Sequence, residues 1–465
     1  MTHDSFDFNS PEREILLNTL KEFTEILYRH IEGSKGYTSQ DNLTQYDENL
    51  LNPRDKDSYN NLLNFIDSHL NKSGINAASG RHLGYIPGGG MLESAIGNYI
   101  ASLGNYYSGV SYAAPIAVDI ENHLIQWTGE VMGYEPGFLG NITSGGSLAH
   151  LTALHTAKNA RKINSTNIRN QCIYFSSETH NSIHKALKIT ALEECHIRVI
   201  PVDDNYCVDT QVLESRILSD IKAGLTPFMI VSNAGSTNSG AVDDLSSISK
   251  FSHKHNIWHH VDAAYGGFFN LTHRGKVVLN GIQESDSMIL DPHKGLFQSY
   301  GLGIVLIKNG KLLQKAFTEH ADYMRDAETI ESLSPANLSI ELTRPFRGLG
   351  MWMALKIHGI GKFSEALNQK LDLADMFFNR IKTMGFETGP NPQLSVVLFR
   401  LENDEDNTRL IQDIHFNCSV FISSTNYGDK LWLRIAVLSH RTRREHVEEL
   451  LDYLNGWTQN HPASV

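Results

Sequence analysis

Apolar residues fall into two rhythms along this chain. Near the start, Leu16, Leu20, Phe23 and Leu27 recur at helical spacing with Lys21, Glu22 and Glu25 on other faces, which predicts an amphipathic helix. Ser10 is the expected cap, and Pro11 is tolerated in the first turn because its missing N–H would have had no helical partner. Residues 31–75 are polar and turn-rich and predict a loop with one short helix. Such a segment has little core of its own and must pack on the main body or on a second subunit.

From about residue 137 the rhythm becomes an alternation of short apolar runs and helical patterns. Runs at 171–177, 196–202, 227–235, 256–267, 287–294 and 301–309 predict strands, and the stretches 211–224 and 243–255 predict helices between them. Strand–helix–strand repetition requires crossover connections, hence an α/β domain with a mostly parallel sheet covered by helices. The last ~110 residues mix helices (345–359, 444–457) with strands (394–401, 430–438), the pattern of a smaller α+β lobe.

Composition narrows the function. The 465 residues carry 40 Lys plus Arg against 52 Asp plus Glu, a net charge of −12, so no dominant basic footprint for nucleic acid is expected. No apolar run approaches a membrane span, and the start lacks the basic-then-apolar pattern of a signal peptide. The four cysteines are scattered, without a CxxC pair, which fits a reduced, cytoplasmic setting.

Four features sit at predicted strand ends, where open α/β sheets place ligands. Thr143-Ser144-Gly145-Gly146-Ser147 precedes a helix expected near Leu148. Glycines let a ligand approach the backbone, and the helix start offers free N–H groups to an anion. A tight turn with a capping serine would look the same. Asp262 ends an apolar strand and needs a cationic partner, or else serves a structural ion pair. Lys294, in Asp291-Pro292-His293-Lys294-Gly295, follows an apolar strand; in a dry pocket its pKa would fall and make it an amine nucleophile, though an ordinary loop lysine is the bland reading. His180 joins a strand to a helix and faces the same edge, or simply caps that helix.

Together these features say more than any one alone. A phosphate cradle, an imidazole, and a carboxylate and lysine 32 residues apart suggest pyridoxal 5'-phosphate. Its aldehyde needs an amine, its ring nitrogen a carboxylate to stay protonated, and its phosphate an anion site.

The strings THNSIHKA, GSTNSGAVDDL, HHVDAAYGG and DPHKG occur in this order. They resemble the group II pyridoxal-phosphate amino-acid decarboxylases, which include the aromatic-L-amino-acid, glutamate and histidine enzymes. HLGYIPGGG and ENHLIQWTGEVMGY upstream, and ELTRPFRGLGMW and LWLRIAVLSHRT downstream, extend the likeness over nearly the whole chain. The resemblance implies a type I aminotransferase-like fold in three parts. Residues 1–80 would form a dimer-making N-terminal segment, 81–345 a large cofactor-binding domain and 346–465 a small C-terminal domain. It implies Lys294 as the Schiff-base lysine, Asp262 as partner of the ring nitrogen, and His180 stacked on the ring near the substrate carboxylate. Gly146 and Ser147 would hold the phosphate, Thr237 and Ala264 would touch the ring system, and Asp291 and His293 would flank the lysine on the phosphate side. Tyr85 and Gly88 would contribute to the substrate pocket, possibly across a homodimer interface. Three departures stand out: Asp291 where animal aromatic decarboxylases have Asn, Gly295 where many aromatic enzymes have Trp, and Gly88 where the animal enzyme has a substrate-facing Thr.

The expected reaction is decarboxylation of an L-amino acid to its amine and CO₂. An aromatic substrate is favoured on Arg344-Pro345-Phe346-Arg347 and overall length. Glutamate, cysteine sulfinate, diaminobutyrate and histidine remain alternatives. The polar stretch between the 301–309 strand and Arg344 predicts a long loop, and loops of that length are usually lids or disordered. By the resemblance, Tyr323 in it would protonate the carbon that loses CO₂; a surface tyrosine on a connector is the bland reading. Two rival classes exist. His253, His255, His259 and His260 could suggest a metal site, but 259 and 260 point to opposite strand faces and no carboxylate set accompanies them, so no metal ligands are expected. A silent cofactor-binding protein would bind the cofactor without turnover.

Overall fold

The computed structural model describes residues 7–39, 51–54, 57–318 and 333–461. The first helix runs Ser10–Gly33, but its cap is Asn9 rather than Ser10. Asn9 Oδ1 accepts from the Glu12 N–H at 3.0 Å, and the Glu12 carboxylate accepts from the Asn9 N–H at 2.9 Å. This reciprocal box satisfies two donors at once, so it outcompetes a lone serine cap and leaves Ser10 in the first turn. No residue of this helix is fully buried, and Ile15, Leu17 and Ile26 are exposed. Beyond it, β1 (Tyr37–Thr38) pairs antiparallel with β2 (Gly74–Ile75), and a short helix at Tyr59–Phe65 continues as one wide turn over Ile66–Leu70.

Seven strands build the main sheet: β3 (Leu139–Thr143), β4 (Gln171–Ser176), β5 (His196–Ile200), β6 (Thr226–Asn233), β7 (Trp258–Asp262), β8 (Ser287–Leu290) and β9 (Gly303–Ile307). Their order is β3-β9-β8-β7-β6-β4-β5. The block β5-β4-β6-β7-β8 is parallel, while β9 runs antiparallel to both its neighbours. Both faces are covered, as parallel sheets require. Met288, Leu290, Ile304 and Leu306 enter one core, whereas Ile289, Val305 and Ile307 enter the opposite one.

Strand ends differ from the sequence reading in one way that matters for the site. The run 287–294 is not one strand: β8 stops at Leu290, and Pro292–Gly295 forms a single helical turn carrying Lys294. Pro292 explains the break, since its fixed φ and missing N–H suit a helix start and not a ladder. Likewise β7 ends at Asp262, short of the expected 267, and the chain turns into a 3₁₀ segment at Gly267–Leu271. Two helices that the apolar pattern did not announce, Leu92–Gly104 and Pro115–Val131, pack against the long helix Gly348–Thr383.

That long helix changes direction at Gly359 (φ 70°, ψ 156°), where the sequence reading expects it to stop. It then covers a second, wholly antiparallel sheet of β10 (Glu387–Thr388), β11 (Val396–Arg400), β12 (Ser423–Tyr427) and β13 (Lys430–Ala436), ordered β10-β11-β13-β12. Phe377, Phe399, Leu433 and Leu450 sit in the core of this lobe, which the helix Arg444–Asn460 closes. Among the described residues, no helix is long and apolar enough to cross a membrane.

Candidate active site

The C-terminal ends of β7 and β8 and the turn after β3 enclose a cavity of about 310 Å³. At one end, Thr143 closes β3 and the chain passes through Ser144 and Gly145 into the helix Gly146–Ala160. The helix starts two residues before the expected Leu148, so Ser147 lies in its first turn and Gly145 (φ 151°) takes the cap position. First-turn N–H groups lack helical acceptors and form an anion site. A Cβ on Gly146 would lie 3.2 Å from Asp291 Oδ2, so this turn runs close against the opposite wall.

On that wall, Lys294 Nζ lies 2.9 Å from Asp291 Oδ2. Burial alone would lower the lysine's pKa, as the sequence reading expects, but the charge and hydrogen bond of Asp291, with Asp262 behind, outweigh it and raise the pKa. His293 Nδ1 donates to the Leu302 carbonyl at 2.6 Å, and its Nε2 is 3.7 Å from Asp291. A carboxylate near a phosphate site needs a donor between them, and Lys294 and His293 are the groups in reach.

At the other end, Asp262 is buried at the tip of β7. Burial disfavours its charge, yet His150, Lys294 and the Ala264 N–H (3.1 Å) together hold it well below the usual carboxylate range. His150 Nε2 is 3.2 Å from Asp262 Oδ2. His180 caps the helix Asn181–Ile189, its Nδ1 accepting from the Ser182 N–H at 3.2 Å. Desolvation lowers its pKa, so the neutral ring carries its proton on Nε2.

Gly146, Ser147, His180, Thr237, Asp262, Ala264, Asp291, His293 and Lys294 therefore line a single cavity, although they come from five separate segments. Tyr85 and Gly88 do not line it. Tyr85 is exposed, and Gly88 lies behind the Lys294 turn, where a Cβ would collide with the His293 carbonyl oxygen; a Thr could not stand here without moving that turn. Tyr323 lies outside the described residues. Arg344 and Arg347 also stay away from the cavity. Arg344 pairs with buried Glu121 at 2.8 Å and Arg347 with Glu341 at 2.8 Å, so the Arg-Pro-Phe-Arg string anchors a helix start and says nothing about substrate.

Sequence reasoning passed over two residues. His150 lines the cavity one helical turn beyond Gly146, and that i,i+4 spacing was the available signal. Arg434, buried on β13, donates to the carbonyls of Tyr85 (2.8 Å), Asn238 (2.9 Å) and Thr237, fastening the small lobe to the site; nothing local in its strand announced this. The histidine string disperses: His259 lies between Ser232 and Ser249, while His260 meets His150 and Ser287.

The residues suit a phosphorylated pyridine aldehyde. A helix N-terminus without side-chain obstruction, an amine and a held carboxylate face one volume. Comparison with known proteins agrees. The chain is 31% identical over 404 residues to the aromatic-L-amino-acid decarboxylase of Bacillus atrophaeus, covering 84% of this chain and 83% of that one. Its fold matches the crystal structure of Oryza sativa TDC with PLP and tryptamine at a TM-score of 0.89 (22% identity, 98% and 100% coverage). It matches Catharanthus roseus tryptophan decarboxylase in complex with L-tryptophan at 0.87 (23% identity, 98% and 100% coverage). Residues 45–402 match the family described as the pyridoxal-dependent decarboxylase conserved domain, and the chain belongs to this family of PLP-dependent amino-acid decarboxylases.

Proposed function

We propose that this enzyme releases CO₂ from an aromatic L-amino acid, with Lys294, Asp262 and His180 around the cofactor. The observation that carries the reading is the shared cavity in which Lys294, Asp262 and the Gly146 helix start face one another. The aromatic preference is supported by the named activity of the Bacillus atrophaeus relative. Bound there, pyridoxal phosphate supplies the electron sink for cleavage of the bond to the carboxyl group.

The chain's own residues do the rest. The first-turn N–H groups and Ser147 hold the phosphate, with Asp291 and His293 behind it, and Thr237 and Ala264 pack on the ring. Asp262, kept anionic, holds the proton on the ring nitrogen. Lys294 supplies the amine. His180 offers its Nε2 proton to the substrate carboxylate, fixing the bond to be broken. Tyr323 delivers a proton to the carbon that loses CO₂. Released CO₂ measured across the twenty amino acids plus DOPA, diaminobutyrate and cysteine sulfinate tests the substrate class. Turnover of only acidic or basic amino acids overturns the aromatic reading.

We also propose a homodimer with the segment 1–80 wrapped on its partner, the large domain spanning 81–345 and the small one 346–465. Uncovered Ile96, Tyr99, Ile100 and Leu103 on one helix, with Tyr112 and Ile116 nearby, support it, since an exposed apolar patch marks an interaction surface. In that assembly the exposed Tyr85 would approach the substrate from the neighbouring subunit. Sedimentation showing a fully active monomer overturns it. The cytosol is the proposed compartment, supported by four cysteines that are all unpaired.

A further inference from the structure

Behind Asp262 runs a line of buried polar side chains that the reaction as described does not use. His150 Nδ1 lies 2.9 Å from His260 Nε2. His260 Nδ1 lies 2.8 Å from Ser287 Oγ, and the indole N–H of Trp258 donates to the same oxygen at 2.8 Å. His150 is 1% exposed, His260 and Ser287 are 0% and Trp258 is 3%, so bulk solvent does not reach these bonds.

The proton positions follow from the two ends. An indole only donates, so Ser287 Oγ accepts from Trp258 and its own proton is left for His260 Nδ1. Burial keeps His260 neutral, so its remaining proton is on Nε2 and points to His150 Nδ1. His150 then presents its Nε2 proton to Asp262. At the other end a carboxylate only accepts, so His150 Nε2 is the donor toward Asp262. The reverse orientation would need a doubly protonated His150 donating to His260 and a His260 donating to Ser287. The serine proton would then have no acceptor on this line, a costly state for a buried hydroxyl.

We infer that His150 and His260 are positioning residues that act through Asp262, as a one-directional relay from Trp258 that supplies the carboxylate with a fixed donor at His150 Nε2. A donor fixed 3.2 Å from Oδ2 holds the carboxylate at one angle toward the cavity. The relay crosses from the helix Gly146–Ala160 to β7 and β8, so the sheet itself sets the orientation of Asp262 before any cofactor arrives.

This inference rests on the role of Asp262 proposed above, and the experiment separates the two. In the holoenzyme loaded with ¹⁵N-pyridoxal phosphate, the ring-nitrogen resonance reports its protonation. With ¹⁵N-histidine, the His150 signals report its tautomer in the unaltered protein. The relay predicts that the His150 Nε2 carries the proton toward Asp262 and that its Nδ1 accepts from His260. It also predicts that His150→Phe shifts the ring nitrogen toward its unprotonated signal and lowers kcat roughly ten- to a hundredfold with the cofactor still covalently held. His150→Asn, which keeps an amide donor, should recover part of both. Ser287→Ala, at the far end, should shift the ring-nitrogen signal in the same direction by a smaller amount. A doubly protonated His150, or a ring nitrogen and kcat indifferent to His150→Phe while Asp262→Asn changes both, overturns the relay. A ring nitrogen indifferent to Asp262→Asn overturns the role of Asp262 itself.

Discussion

Lys294 Nζ and Asp291 Oδ2 stand 2.9 Å apart, and on the proposed reading this ion pair governs the amine that meets the cofactor. Because Asp291 and Asp262 raise the lysine's pKa despite its burial, the free amine is scarce at neutral pH. Asp291→Asn should remove the main opposing charge and move the half-maximal pH for covalent cofactor capture downward, read as the growth of visible absorbance in protein freed of cofactor. An unmoved midpoint would show that Asp291 does not control the amine.

Lys294→Ala should abolish covalent retention, leaving the cofactor free to dialyse away. Borohydride reduction followed by peptide mapping checks the assignment, and a label on any other lysine refutes it.

On the proposed reading, Asp262→Asn removes the anion that holds the ring proton. Loss of about 4 kcal/mol of transition-state stabilisation corresponds to roughly a thousandfold in kcat. Turnover near the parental rate would eliminate this role.

Gly88 touches the backbone that carries Lys294, since a Cβ there would collide with the His293 carbonyl oxygen. Gly88→Ala should therefore lower cofactor occupancy and cost about 1–3 kcal/mol of stability. Gly361→Ala, where a Cβ meets nothing within 4 Å, is the control and should be neutral or stabilising. Equal effects of the two substitutions would contradict the close approach.

His259 is buried between two serine hydroxyls at 2.9 Å each, and desolvation lowers its pKa to about 3. The unfolded chain binds this proton below about pH 6.5, while the folded one does so only near pH 3. Its contribution to stability is therefore complete above about pH 6.5 and is lost as pH falls toward 3, with a slope approaching 1.36 kcal/mol per pH unit. Urea unfolding of the parent and of His259→Asn between pH 7 and 5 should show a shallower decline in the variant. Parallel curves would refute it.

Tyr323→Phe should leave cofactor binding intact, cut amine release sharply, and divert product toward aldehyde, ammonia and peroxide. Parental rates without peroxide would move the proton donor elsewhere.

The division between sequence and tertiary structure runs along the range of the forces involved. Strand and helix identity follow from local periodicity, so β4, β6 and β7 and the helices between them were legible. The strings around Lys294, Asp262 and His180 were legible too, because each motif carries its chemistry within a few residues. Asn9 displaced Ser10 as a cap through a bond three residues long, a contest between neighbours that composition does not settle. What lay beyond sequence was every effect set by residues far apart in the chain. The Arg344 string read as a substrate signal until Glu121, over 200 residues away, claimed its charge. The pKa of Lys294 would fall by burial alone and rises chiefly through Asp291, three residues away, to which only the sheet adds the charge of Asp262. His150 acquires a purpose only where a helix crosses β7, since a side chain's hydrogen-bond partner is fixed by packing and not by its neighbours in sequence.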